Sequence, residues 1–595
     1  MKNLFNSIIA FFILLLVLSC ERILDVKPLN IISDEVVLNS ESGVEAYMSS
    51  LYNALPIEDF NFRPSLLSFT QWSHFTDESM NTYNYDAPHL GNGTSSGWWG
   101  YGGVRIVNDF IDKIVQSNQP RQKIDTWLGE AKFIRAYYYF AMVKRYGGIP
   151  LITRVQTFTG SNMEELRVPR NKEQEIYDFI STELDSAALL LSATVTNKSR
   201  ANKYTAYALK SRAMLYAASI AKYGKVELNG IVGIPSEMAN SYWQSAYDAA
   251  KKIIEDKKFT LYTKNSNKTD NFTQLFLDKD NPEAIFVKYF LLPGKGHSYD
   301  VCAVPLSARG SHGYSSCIDP TVEFVERFEY KDGSIGKLKI SNVDGTPIKY
   351  ASPHDLFKDK DPRFAATIIY PFALWRGNPI DVQAGLIDND RVVTTSNYSS
   401  LYDPVTKQIG SSGVRIIGSN GIGGSLIVSQ TGFYIRKYLN PEYGPGQVVT
   451  NGSDQHYIDI RYAEILLNIA EAAVELGKVL EAKEMVNLVR QRAGISLLED
   501  AEVTIGRIRN ERAVELAFEN HRYWDLRRWR IGPEVIPAST RFKAIMPYKV
   551  LDDGSYIFKT EFVGYAKTFE PKINYERIDP NEINRNPKLI QNPLY

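Results

Sequence analysis

The sequence predicts a mainly α protein: a tetratricopeptide-like helical repeat platform with a large loop-rich insertion carrying short β-strands. Two observations predict it. Between Asp459 and Trp529, the residues Tyr462, Ile465, Leu466, Ile469, Ala473 and Leu476 recur at i, i+3, i+4, i+7 spacing, and a second stripe of Ala482, Met485, Leu488 and Val489 runs from Gly477 to Gly494. That period belongs to amphipathic helices, and glycine stops them because it adopts the left-handed conformation without steric cost. Two helices in about 34 residues form the unit of a tetratricopeptide-type array. Between Asn271 and Gly452, in contrast, glycine, proline, serine and asparagine rise and only short β-like pieces remain, such as Glu283–Tyr289 and Gly432–Tyr438.

The elements follow in order. Residues 1–19 read as a lipoprotein signal peptide: a lysine leads, the apolar run Ile8–Leu18 is too short to span a bilayer, and Val17-Leu18-Ser19-Cys20 resembles a lipobox that would lipidate Cys20. Residues 20–40 then form a lipidated tether. A helical N-terminal part, 41–270, is expected to place helices at Ser42–Ala54, just after Trp98-Trp99, at Trp127–Leu151, Lys172–Leu191, Lys203–Ala221 and Tyr242–Asp256. Alanines and large aromatics share one face in these segments, as closely paired helices require. Within this part, loop 56–97 has no periodicity. The C-terminal part, 271–595, comprises the insertion 271–452, the repeat 459–529 and a tail. Its third helix, Ile505 to Trp529, pairs Arg507 with Glu511, Glu519 with Arg522 and Arg522 with Asp525 at helical spacing. Interleaved acids and bases favour an ion-pair network that locks the helix to its neighbours over an anion site.

The segments RYAEILLNIAEAA, VNLVRQRAGI and IRNERAVELAFENHRYWDLRRW, in this order, resemble the C-terminal core of the SusD/RagB family, and WLGEAKFIRAYYYFAMVKRYGGIPL is similar to a further family segment. The terminal Asn-Pro-x-Tyr also resembles family C-termini, with Leu594 where the family usually has glycine. The resemblance implies a SusD-like fold and a lipid-anchored outer-membrane protein facing the cell exterior. It further implies that the protein binds a nutrient and passes it to a SusC-like TonB-dependent β-barrel transporter.

Composition bounds the alternatives. Lys+Arg and Asp+Glu both number 68, so no net charge draws the chain to nucleic acid or to an anionic membrane, and the N-terminal lipid is the expected membrane attachment. No nucleophile elbow, H-E-x-x-H, C-x-x-C or P-loop is present, so no enzyme, metal or cofactor is expected. Cys302 and Cys317 either pair in an oxidising location or remain two thiols. A glycan site needs aromatic faces to stack on sugar rings, with amides and hydroxyls to orient their OH groups. Loop placement and chemistry nominate Trp72, Tyr83, Tyr85, His297, Tyr299 and Tyr314, with Trp375 as a further candidate. The other reading of the same aromatics is burial against the helices. The favoured function is a glycan receptor. The alternatives are a RagB-like peptide receptor, whose ligand would lie in an elongated groove, and a structural scaffold of repeats that binds other proteins.

Overall fold

The computed structural model describes residues 38–62, 71–83, 98–310, 313–422 and 427–595; Cys20, Tyr85 and the signal segment lie outside them. Among the described residues, eleven helices build the platform and its flanks. They are α1 (Glu41–Asn53), α2 (Tyr101–Ile114), α3 (Arg121–Tyr146), α4 (Glu173–Leu190), α5 (Lys203–Tyr223), α6 (Ala239–Glu255) and α7 (Lys268–Leu275). After the insertion come α8 (Tyr462–Glu475), α9 (Val479–Ala493), α10 (Ile505–Glu515) and α11 (Arg522–Arg528). Local chemistry sets their ends. The Asn202 side chain accepts from the Tyr204 and Thr205 backbone N–H groups at the start of α5, and Gly494 closes α9 at φ 77°.

Helices α2 to α6 pack in succession, each against the next. The array then resumes with α8, which packs on α6 and α5 although the whole insertion separates them in sequence. Helix α5 sits at the centre and is buried on nearly every side. Its Ala206, Ala208, Ala213, Ala217, Ala218 and Ala221 are all buried, which lets its neighbours approach closely. The platform is therefore one continuous superhelical stack, as isolated helix pairs cannot bury their own faces.

The insertion begins and ends on one ladder. Strands β1 (Ala284–Lys288) and β4 (Tyr457–Arg461) pair antiparallel, with Ile458 opposite Val287, and β4 runs straight into α8. Between them, β2 (Gly385–Asp388) and β3 (Arg391–Val393) join β5 (Lys543–Val550) and β6 (Tyr556–Phe562) in a four-stranded sheet of order β6-β5-β2-β3, in which only β5 and β2 run parallel. A single hydrophobic cluster extends from Leu38 through the helices to Trp375 and Ile578, so insertion and platform share one core.

The third C-terminal helix is broken rather than continuous. Between α10 and α11, Phe518 and Asn520 take φ values of 58° and 64°. The turn carries Glu519 inward, where its carboxylate receives Arg461 Nε at 2.7 Å and Lys437 Nζ at 2.9 Å, while the Phe518 N–H donates to Glu78 Oε1 at 2.8 Å. An ion-pair network is present, but its members are not the intrahelical pairs that spacing suggests. Glu515 receives Arg461 (2.6 Å), Arg363 (2.9 Å) and Arg492; Glu511 receives Arg363 (2.6 Å) and Arg490 (2.8 Å); Arg522 reaches Asp77 (2.8 Å). Arg528 joins Glu471 (2.5 Å) to Asp525 (2.8 Å), which also receives Arg512 (2.9 Å). These side chains are buried, and buried charges must be paired. The long arginines satisfy that need by reaching between elements.

Candidate functional site

Asp77 is the foundation of the candidate site. It accepts from Arg522 at 2.8 and 3.0 Å and from Arg327 at 2.8 Å, and these arginines overcome the effect of burial and hold its carboxyl well below the usual carboxylate range. The backbone beside it is tied across the fold. Thr321 donates its N–H to Glu78 O and its hydroxyl to Asp77 O, and Met80 pairs with Asp319 in a short antiparallel bridge. From this base three stretches converge. The Thr82 hydroxyl lies 2.6 Å from Asp319 Oδ2 and 3.2 Å from Val428 O, and Gln430 Nε2 donates to Thr82 O at 2.7 Å. Tyr83 donates its hydroxyl to Ser315 O at 3.1 Å, and Ser315 Oγ donates to Ile427 O at 3.0 Å.

A fourth stretch closes the face. The Asn420 amide grips Ser307, accepting its N–H at 3.1 Å and donating to its hydroxyl at 2.9 Å. Tyr398 donates to Gly421 O at 3.3 Å, and Tyr434 bridges Asn420 O and the Ser429 N–H. Among these linked stretches, Tyr314 is 42% exposed, Tyr83 and Tyr398 are half-buried, and Ser307 and Arg309 are exposed. Burial pushes the phenols of Tyr83 and Tyr398 up to about 12, so both stay protonated donors at neutral pH. Chemically these stretches offer flat apolar rings together with the exposed Ser307 hydroxyl and Arg309 guanidinium, while the Asn420 amide is buried and spent on Ser307.

The sequence-nominated residues divide. Tyr83 and Tyr314 come together here through Ser315. Trp72, His297, Tyr299 and Trp375 do not, because all four are core residues. Trp72 stacks on Tyr523 at 4.8 Å and packs against Trp524 at 5.0 Å. His297 stacks on Phe60 at 4.2 Å, and its Nε2 lies 3.0 Å from Gln455 O. Tyr299 also packs on Phe60, at 4.8 Å, and donates to Lys437 O at 3.1 Å. Aromatics from loops remote in sequence therefore bury one another. Trp375 points inward for a different reason: the turn residues Arg376 and Gly377 have φ of 53° and 77°, and strand alternation leaves Leu374 64% exposed and Trp375 3% exposed. Of the described residues of loop 56–97, residues 71–82 are buried, and Tyr83 is the one that meets the face. Cys302 and Cys317 are buried and reduced, and Cys317 Sγ donates to the Cys302 carbonyl rather than forming a disulfide. Trp98 and Trp99 pack at the entrance of α2, where Tyr146 donates to Trp98 O. Sequence reasoning missed Tyr398, Ser307 and Asn420. The serine- and asparagine-rich run around Tyr398 was the available signal, and nothing local linked it to the other loops.

A family model described as the SusD family matches residues 282–595, more than half of the chain. This chain belongs to the SusD family. A second family model, described as starch-binding associating with outer membrane, matches residues 23–215. Among relatives, a SusD-like protein of Formosa agariphila is 22% identical over 570 residues, covering 90% of this chain and 94% of that protein. Among solved structures, a SusD-like carbohydrate binding protein from Bacteroides fragilis superposes with a TM-score of 0.67 at 24% identity, over 93% of this chain and all of that one. A laminarin binding SusD-like protein reaches a TM-score of 0.60 at 18% identity, over 94% of this chain and all of that one. These likenesses establish the fold: a SusD-type helical platform with short strands.

Proposed function

We propose that this chain is a non-catalytic glycan receptor of the cell surface. It would be anchored in the outer membrane through lipid on Cys20 and would deliver oligo- or polysaccharide to a SusC-like TonB-dependent barrel. The observation that carries the reading is the set of accessible rings Tyr83, Tyr314 and Tyr398, able to stack on sugars, with the exposed Ser307, which the buried Asn420 amide holds, and the exposed Arg309. Membership of a family that includes carbohydrate-binding members supports it, as does the outer-membrane description attached to residues 23–215. Several accessible rings suit a polymer held by weak stacking contacts and released to a partner. Peptide capture by backbone pairing would need a long open strand edge or groove. The strand pairs Met80 with Asp319 and Tyr434 with Ile369 are short and buried, and the exposed strands that follow Tyr398, Gln408–Gly410 and Val414–Arg415, are only three and two residues long.

The test is a screen of residues 21–595 against immobilised polysaccharides and a peptide library, together with a pull-down of the full lipoprotein from its native membrane. Retention by a polysaccharide and recovery of a β-barrel partner are the expected results. Peptide retention without any polysaccharide retention would overturn the glycan reading, and a lipoprotein recovered alone at physiological salt would overturn the delivery role.

A further inference from the structure

Most buried arginines among the described residues meet a carboxylate, but two partly buried ones do not: Arg530 lines a cleft, and Arg509 packs on Tyr223, a ring of the same cleft. Arg530 follows helix α11 at φ 59°, with the Ile531 N–H bonded to Leu526 O, so it occupies the left-handed helix-ending position that glycine usually fills. Its guanidinium lies 4.7 Å from the Tyr575 ring and donates Nη1 to Arg527 O at 2.8 Å; no carboxylate pairs with it among the described residues. Arg509 is held between Tyr223 at 4.8 Å and Trp529 at 4.7 Å, and its Nε and Nη2 are buried without hydrogen-bond partners.

Between Tyr223, Arg530 and Tyr575 lies a cleft of about 300 Å³, the lower end of the size range of ligand pockets. Lys225 and Lys572 stand at its edge, and Glu227 is the one carboxylate in the lining. Lys572 is matched by Glu570 at 2.9 Å, whereas Lys225 has no ion-pair partner among the described residues. Glu173, buried behind the Tyr575 ring and accepting its hydroxyl at 2.6 Å, has its carboxyl raised by burial. It therefore holds a negative charge less readily than an exposed acid. Pro571, Pro593 and Leu594 complete an apolar wall, and Asn574, also in the lining, keeps a buried amide oxygen without a donor. Rings, a guanidinium without a carboxylate partner and an acceptor are thus gathered in a space the size of one sugar ring, with positive charge in excess.

We propose that this cleft is a second ligand site, separate from the Tyr83–Tyr314 face, that takes a sugar residue bearing an oxyanion. Arg530 and Lys225 receive the anion, Tyr223 and Tyr575 flank the ring, and Glu227 accepts from its hydroxyls. A carboxylate and a sulfate ester share this chemistry, since both present oxygens to a planar fork.

The experiment uses residues 21–595 and three probes by saturation-transfer NMR and calorimetry: methyl glucuronide, glucose 6-sulfate and methyl glucoside as the neutral control. At least one anionic probe is expected to bind about tenfold more tightly than the neutral one, with the preference lost at about 0.5 M salt. Which anionic probe binds identifies the source of the charge. Arg530→Gln and Lys225→Gln are each expected to weaken that probe about fivefold or more, and Tyr314→Ala to leave it unchanged. Lys225 is exposed and its variant keeps the fold, so it carries the test if Arg530→Gln lowers the melting temperature. Equal binding of neutral and anionic probes, no binding of any probe, or unchanged affinity in Lys225→Gln would each overturn the proposal. None of these results bears on the loop face, whose failure would show instead as loss of polysaccharide retention.

Discussion

Replacing Glu515 by glutamine removes one negative charge from the middle of three arginines. The side chain is fully buried, and its oxygens receive Arg461 Nη1 at 2.6 Å, Arg363 Nη1 at 2.9 Å and Arg492. Burial alone would raise its pKa, but Arg492, Arg461 and Arg363 together overcome that and hold the carboxyl well below its ordinary value. Removing one partner of a buried ion pair leaves the other uncompensated, at a cost of about 3–5 kcal/mol. The amide still fills the space and still accepts one hydrogen bond, so the loss is electrostatic rather than a cavity. Urea unfolding at pH 7, followed by tryptophan fluorescence, should place Glu515→Gln about 3–5 kcal/mol below the parent. Arg121→Gln, whose side chain is 77% exposed in its pair with Asp125, should lose less than about 1 kcal/mol. The pH dependence has a definite sign. A depressed carboxyl contributes stability above its unfolded value of 4.5 that is lost as pH falls toward the folded value. The gap between parent and Glu515→Gln should therefore be constant from about pH 6 to 8 and narrow below about pH 4. A loss under about 1 kcal/mol at pH 7 would refute the claim that this carboxylate ties α10 to β4, α9 and the insertion.

Further outcomes rest on the same geometry. Burial raises Glu78 from 4.5 to about 8, so it favours folding below 4.5 and that contribution is lost as pH rises toward 8; Glu78→Gln should stabilise the protein by about 1–4 kcal/mol at pH 8 and have little effect at pH 4, in melting curves across that range. Trp72→Ala should cost about 3–5 kcal/mol in urea unfolding, because its indole fills the space between Tyr523 and Trp524, and any loss of ligand binding in that variant should track unfolding. Cys302 and Cys317 should react with a thiol reagent only after denaturation, and reductant should leave the melting temperature unchanged.

Much of the helical platform was legible because amphipathic periodicity and glycine stops are local properties. Helices α5, α8 and α9 begin and end within about two residues of where their stripes and caps place them. The break between α10 and α11 was not legible, since it depends on Arg461 and Lys437 drawing Glu519 inward across the fold. Loop aromatics were the harder case. His297 and Tyr299 look like exposed loop residues until Phe60, distant in sequence, covers both, and only a two-residue turn at positive φ decides that Trp375 faces the core. The candidate face has the same character in reverse. Tyr83 and Tyr314 could be nominated by residue type, but Tyr398 and Asn420 are tied in through hydrogen bonds to residues of other loops, Gly421 and Ser307. Composition records which groups are available, and long-range packing decides which of them reach solvent.

The most direct test of the glycan reading is a calorimetric titration of residues 21–595, parent and Tyr314→Ala, with the polysaccharide that the screen retains. Saturable binding by the parent is expected, with at least about a tenfold loss in Tyr314→Ala and both proteins melting at the same temperature. Equal affinity in parent and variant would contradict the glycan reading, because the most exposed ring of the face would then take no part in holding the ligand.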